Sequence, residues 1–234
     1  MGIIKTKGIV ISENKMGDYD KMVTILTPSG KIGCAAKGAR KPKSLLMAGT
    51  QFFCFGEYLI FKGNNSYNIN SCDTIEIFYN LRTDLDRLNY AVELCKIVDK
   101  VTYENQNTYK ILQLLLNTLY VISETDKNLD LVASVFRIRL LCLLGFMPKI
   151  NKCVNCDEQE KITCFSIADN GFKCTNCGKV DKSAITISPT TVDAIRYIIM
   201  APAKKIFSFE LSEESLREIS LLSKVYLNEK LELQ

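Results

Sequence analysis

Two hydrophobic rhythms divide this chain. In residues 3–12, 21–28, 31–37, 52–62 and 67–79, short runs rich in Ile, Val, Thr, Phe and Tyr stand between turn residues, the pattern of β-strands. The punctuation is Gly17-Asp18, Pro28-Ser29-Gly30 and Gly63-Asn64-Asn65-Ser66; the last, between two apolar strands, is a strong hairpin signal. Ser44 to Ala48 reads as one helical turn between the third and fourth strands. Five short strands with an insert after the third suit a small Greek-key barrel of the OB type, and a five-stranded SH3-like barrel suits the same pattern.

After Leu81 the period lengthens. Leu85, Leu88, Val92, Cys95 and Val98 recur at three- and four-residue steps and predict a helix over about 84–104. Ile111, Leu112, Leu115, Leu119 and Ile122 predict a second over about 107–124. A third, over about 129–145, is apolar nearly all round, which places it at the centre of a bundle. Gly145 followed by Pro148 is its stop signal. Helices return at about 190–200 and 213–231, the last opened by Ser212 as N-cap with Glu213 and Glu214 in its first turn. The expected architecture is α+β. A barrel over residues 1–80 precedes a helical domain over 81–234, which carries an insert at 150–180.

Composition changes the picture through what is missing. The chain has 234 residues, no His, no Trp and ten Cys. Without His there is no Ser-His-Asp triad, no Cys-His pair and no His-ligated metal, and the commonest base near neutral pH is absent. No phosphate-cradling Gly-rich loop is present, and acid pairs such as Asp18/Asp20, Asp84/Asp86 and Glu213/Glu214 read as solvent-facing turn and cap residues. The expectation is a protein that is not an enzyme.

The cysteines do suggest chemistry. Cys153, Cys156, Cys174 and Cys177 form C-x2-C-x17-C-x2-C, the spacing of a four-cysteine zinc site. Two residues between ligands let both sulfurs of a tight turn face one ion, and two such turns close a tetrahedron. With four protein ligands no coordination position stays open, so the single Zn2+ is expected to be structural. Ile162–Phe165 and Gly171–Lys173 pair as strands in this reading, making a zinc ribbon, and Gly178 is expected to take positive φ in its knuckle. Cys34, Cys54, Cys72, Cys95, Cys142 and Cys164 read as small buried filler.

Charge is unevenly spread. Residues 1–80 hold ten Lys/Arg and six Asp/Glu, so the whole net charge of +4 belongs to them. The densest stretch is Lys37-Gly38-Ala39-Arg40-Lys41-Pro42-Lys43, four cations in seven residues. Such clusters bind polyanions by releasing their condensed counterions. No stretch is apolar for the ~18 residues a membrane span needs, and the N-terminus has no signal-peptide core. Its loose match to a myristoylation pattern is set aside because the same residues open an alternating strand. The expected location is the cytoplasm, where thiols stay reduced.

These parts together resemble the bacterial recombination mediator family RecO, over essentially the full length. Lys7-Gly8-Ile9-Val10-Ile11 and Gly17 to Thr27 look like the family's first strands, and Ala36 to Ser44 like its most specific segment. Phe78 to Leu85, Phe136 to Leu141, Gly145-Phe146-Met147-Pro148, the two CxxC pairs and Tyr226-Leu227 match as well. Met16 departs from the Tyr-Gly-Glu-like residues expected there. The resemblance implies an OB barrel, a helical domain and a zinc ribbon. It implies binding of single- and double-stranded DNA, annealing of complementary strands, and loading of RecA onto SSB-coated DNA together with RecR. It also implies capture of the acidic, apolar SSB tail in the helical domain, with Arg137 and Arg139 as candidate cations. The DNA face is then expected from Lys5, Lys7, Lys21, Lys31, Lys37, Arg40, Lys41 and Lys43, with Tyr19 and Tyr67 as aromatics that either stack bases or fill the core. The rival reading is an OB/zinc-ribbon protein that binds ribosomal or messenger RNA, since charge alone does not tell RNA from DNA.

Overall fold

The computed structural model describes residues 2–64 and 66–232. The first rhythm becomes a closed barrel of β1 (Gly2–Met16), β2 (Asp20–Thr27), β3 (Gly30–Ala36), β4 (Phe55–Lys62) and β5 (Tyr67–Glu76). Around the barrel the order is β1-β2-β3-β5-β4, with β4 returning antiparallel to β1 and a short parallel pairing of Cys34 and Ala35 with Tyr67 and Asn68. This is the OB arrangement. At the hairpin between β4 and β5, Asn65 lies outside the described residues, while Gly63 N–H donates to the Ser66 carbonyl at 2.8 Å.

The barrel core follows the alternation. Val10, Val23, Ile25, Cys34, Tyr58, Ile60 and Ile69 point inward together. The run Gly8–Ile11 is buried without interruption. Two things break the alternation there: the β1–β2 register shifts between Val10 and Ser12, and helix α1 (Leu85–Val101) covers the outer side of β1. The expected helical turn at Ser44–Ala48 is instead a chain of tight turns. Met47 N–H donates to the Ser44 carbonyl and Thr50 N–H to the Leu46 carbonyl, each at 3.1 Å.

The chain forms two compact units, Met1–Thr125 and Asp126–Gln234. In the first, α1 and α2 (Tyr109–Glu124) pack on each other and on the barrel. Their connection is bonded to the β2–β3 turn. Thr108 N–H donates to the Pro28 carbonyl at 3.0 Å, and Gly30 N–H donates to Thr108 Oγ1 at 2.9 Å. Secondary structure therefore changes near residue 80, but the division by compactness falls at 125/126, because these two helices bury their apolar stripes within the first unit.

In the second unit α3 (Leu129–Leu143) is the centre, flanked by α5 (Pro189–Met200) and α6 (Glu213–Leu231). Ten of its fifteen residues are buried. It ends as its sequence requires, with Gly145 at φ 94 and Phe146 N–H donating to the Leu141 carbonyl at 2.8 Å. Ser212 caps α6 through the N–H of Ser215. Between α3 and α5 lies a three-stranded sheet of β6 (Ile162–Ser166), β7 (Gly171–Cys174) and β8 (Ala184–Thr186), with the five-residue helix α4 (Thr175–Lys179). No helix among the described residues is long and apolar enough to cross a membrane.

Candidate metal centre and cationic barrel surface

The ribbon brings its two CxxC pairs together. The sulfurs of Cys153, Cys156, Cys174 and Cys177 all lie within 4.8 Å of one another. The Cys156–Cys174 and Cys156–Cys177 separations are both 3.5 Å. Four thiolates on one tetrahedral ion stand about 3.8 Å apart when each metal–sulfur bond is about 2.3 Å, so the quartet fits a metal ion.

Local backbone N–H groups lower two of the four thiols. Burial raises the Cys153 thiol, but the N–H groups of Cys174, Asn155 and Cys156 outweigh it and bring it down to about 6. Cys174 is lowered chiefly by the N–H of Cys177. Cys177 is pushed up to about 12 by its hydrogen bonds with Cys156 and Cys174. A bound cation would favour the thiolate at all four positions, because it takes the place of the thiol protons.

Gly178 corrects the sequence reading. It sits inside α4 and lacks the positive φ expected of it. Its requirement is space: a Cβ there would lie 2.5 Å from the Cys164 sulfur and 3.0 Å from its Cβ. Cys164 is therefore a fitted contact beneath the second CxxC turn.

Sequence reasoning also missed the ribbon's second fastening. Lys173, next to Cys174 of the quartet, has a side chain only 5% exposed and lies 2.5 Å from Asp169 and 2.7 Å from Asp181. Asp181 also accepts from Ser166 Oγ at 2.5 Å and Ser183 Oγ at 2.7 Å. Lys173 and these hydroxyls hold the Asp181 carboxyl well below the usual carboxylate range. A buried lysine needs such partners; the only signal in the sequence is an alternation of Lys and Asp that any loop shares.

On the barrel, the eight cations named from sequence divide. Lys5 pairs with Glu57 at 2.9 Å, Lys21 with Glu13 at 2.7 Å, and Lys31 with Asp99 at 2.9 Å. Lys7, Lys37, Lys41 and Lys43 are exposed and have no ion pair among the described residues. Arg40 donates from its guanidinium to the Gly17 carbonyl at 3.2 Å.

The segment from Lys37 to Lys43 is stitched to the β1–β2 turn. Gly38 N–H donates to Asp20 Oδ1 at 2.7 Å, Arg40 N–H donates to the Tyr19 carbonyl at 2.9 Å, and Ala39 is fully buried. Lys43 stands at φ 67. Anchored through Ala39 and these bonds, the segment turns its lysines outward at one end of the barrel. Lys31 lies at the start of β3 and Lys37 just beyond its end, roughly 20 Å apart in an extended strand.

In the helical unit, the two arginines named from sequence have structural settings. Arg137 is 1% exposed. Arg139 donates to the Ile198 and Ile199 carbonyls, at 3.1 and 2.8 Å, where α5 ends.

Comparison with known proteins covers nearly the whole chain. Residues 1–78 match the family described as Recombination protein O N terminal, and residues 82–234 match Recombination protein O C terminal. The chain is 44% identical over 234 residues to the DNA repair protein RecO of Acetivibrio thermocellus, covering 99% of this chain and 93% of that one. It is 34% identical to the protein of that name from Alkaliphilus metalliredigens (93% and 90% covered) and 31% identical to that from Bacillus subtilis (97% and 89% covered). With both family matches falling in order along the chain and relatives at 31–44% identity over nearly its full length, this chain belongs to the recombination protein O, or RecO, family.

Proposed function

We propose that this chain is a DNA-binding recombination mediator that acts in DNA repair without catalysing a reaction. It binds single- and double-stranded DNA, anneals complementary strands and, with RecR, helps load RecA onto SSB-coated single strands. The observation that carries this reading is the exposed cationic segment from Lys37 to Lys43, anchored to the end of an OB barrel in a RecO-family chain.

The physics needs no reacting group. Two complementary strands repel each other through their phosphates. A surface of fixed cations neutralises part of that charge and concentrates both strands, while base pairing supplies the specificity. Residues 1–80 form the DNA-binding domain in this reading, and Lys37, Arg40, Lys41 and Lys43 make its central contacts, with Lys5, Lys7 and Lys21 at its margins and Lys31 engaged by Asp99 instead. The domain over 81–234 carries the 150–180 ribbon, whose Cys153, Cys156, Cys174 and Cys177 hold one structural Zn2+. Ten free cysteines fit a reducing cytoplasm, close to the DNA.

The SSB tail is acidic and apolar. In the helical unit a groove of about 530 Å³ joins exposed Met147 and Met200 to Lys149, the chemistry such a tail requires. The deciding experiment is annealing of SSB-coated complementary strands, with and without RecR. Acceleration by the wild-type chain, abolished when Lys37, Arg40, Lys41 and Lys43 become Ala, is the expected result. Unchanged annealing by that variant sinks the assignment of the surface, and preference for single-stranded RNA over DNA of equal length sinks the DNA reading.

A further inference from the structure

Apolar side chains stand exposed among the cations of the barrel end. Tyr19, on the β1–β2 turn, is 52% exposed, and Lys41 Nζ lies 5.7 Å from its ring centroid. Leu45 is 95% exposed, while its neighbour Leu46 packs against the barrel core. Tight turns hold this contrast in place: Ser44 N–H donates to the Lys41 carbonyl at 3.1 Å and Leu46 N–H to Ser44 Oγ at 3.3 Å. Tyr67, the other aromatic considered for this face, is half-buried against the core. Apolar side chains stabilise a fold by leaving water, and Leu45, left in water, does not do so where it stands.

We infer that Tyr19 and Leu45 form a base-contacting platform, on which unpaired bases of single-stranded DNA stack while the flanking cations hold their phosphates. The inference rests on the proposed DNA function and adds a preference that charge cannot create. Cations meet phosphates in both forms and, by charge density alone, favour the duplex, but an aromatic face and a projecting aliphatic side chain find a partner only where bases are unstacked. Lys41 over the ring supports this, because the cation–π contact holds Tyr19 in one place while the ammonium remains near the strand it would contact. The nearest alternative occupant, an anionic membrane surface, is satisfied by the same cations and Leu45 but makes no demand on Tyr19.

The test compares a 20-nucleotide dT strand, an abasic strand of the same length and a 20-base-pair duplex, each titrated across a salt series. Tyr19→Ala is expected to weaken dT binding about fivefold or more, with an unchanged salt slope because every cation that meets a phosphate is still present. The abasic strand, which offers no base, is expected to bind wild type and Tyr19→Ala alike, as is the duplex. Tyr19→Phe keeps the ring and is expected to match wild type, and Leu45→Ser is expected to weaken dT binding selectively. Equal weakening on dT and abasic strands, or none on dT, overturns the platform while leaving the DNA function standing. Failure of the wild-type chain to bind any of the three removes the DNA reading and this inference with it. Binding to phosphatidylserine vesicles that Leu45→Ser abolishes, with dT affinity intact, assigns the patch to a lipid surface instead.

Discussion

Lys31 Nζ stands 2.9 Å from Asp99 Oδ1 and also donates to the Asp99 backbone carbonyl. A lysine that charge counting assigns to a DNA face is thus held by the end of α1. Lys37, Lys41 and Lys43 have no such engagement among the described residues. The pair joins the barrel to the helix that covers it, and it removes one cation from the exposed set.

Salt dependence separates the two groups. Changing Lys37, Arg40, Lys41 and Lys43 to Ala is expected to lower single-strand affinity. The slope of log K against log salt should shrink by about 0.7 for each phosphate that no longer meets a cation. Lys31→Met is expected to leave that slope unchanged and to lower stability by ~1 kcal/mol or less, as for a partly exposed pair. Fluorescence titrations over a salt series, with thermal melts alongside, read both; a slope that falls equally for Lys31→Met refutes the division.

Gly178 and Cys164 form a steric pair. Gly178→Ala places a methyl 2.5 Å from the Cys164 sulfur, an overpacking expected to cost about 1–3 kcal/mol. Cys164→Ala removes the opposing sulfur, so adding it to Gly178→Ala is expected to recover most of that stability. A double-mutant cycle by chemical denaturation measures the coupling, and additive effects would show that the contact is not the reason for the glycine.

Metal removal is expected to act on the ribbon and not on the barrel. Elemental analysis should find one ion per chain, and Cys153→Ser or Cys174→Ser should abolish it. Metal present at a hundredfold excess over its Kd adds about 2.7 kcal/mol, a fall of roughly 5–10 °C in Tm when it is chelated away. DNA affinity at the barrel should persist. Loss of DNA binding from a chelated chain that is still folded would overturn the structural role of the metal.

Acid should loosen the ribbon through Asp181. Its carboxyl is held below its unfolded value of about 3.9. Its contribution is therefore complete above about pH 5 and is lost as pH falls below the unfolded value toward the folded one. Asp181→Asn is expected to lower stability at pH 7 by about 1–3 kcal/mol, the worth of a charged hydrogen bond, and to flatten stability between pH 5 and pH 3. Denaturation at the two pH values decides it, and parallel curves for variant and wild type would exclude this carboxylate as the cause.

Much of the molecule was legible in one dimension because the signals are local. The alternation that makes β1 to β5, the three- and four-residue steps of α1 and α2, the all-round apolarity of α3, the Ser212 cap and the Gly145 stop all act within a few residues. The CxxC spacings are local too, since a tight turn brings each pair of sulfurs together. Local charge density likewise marked Lys37 to Lys43. Tertiary structure decided what depends on residues far apart in the chain. Asp99 engages Lys31 from 68 residues away. Gly178 is required by Cys164 across the ribbon and not by its own φ. Lys173 is buried because Asp169 and Asp181 close over it. Tyr19 and Tyr67 each have a lysine over the ring, yet one is 52% exposed and the other packs half-buried against the core. Periodicity records which face a residue takes, whereas pairing, clash and exposure depend on what the fold brings opposite it.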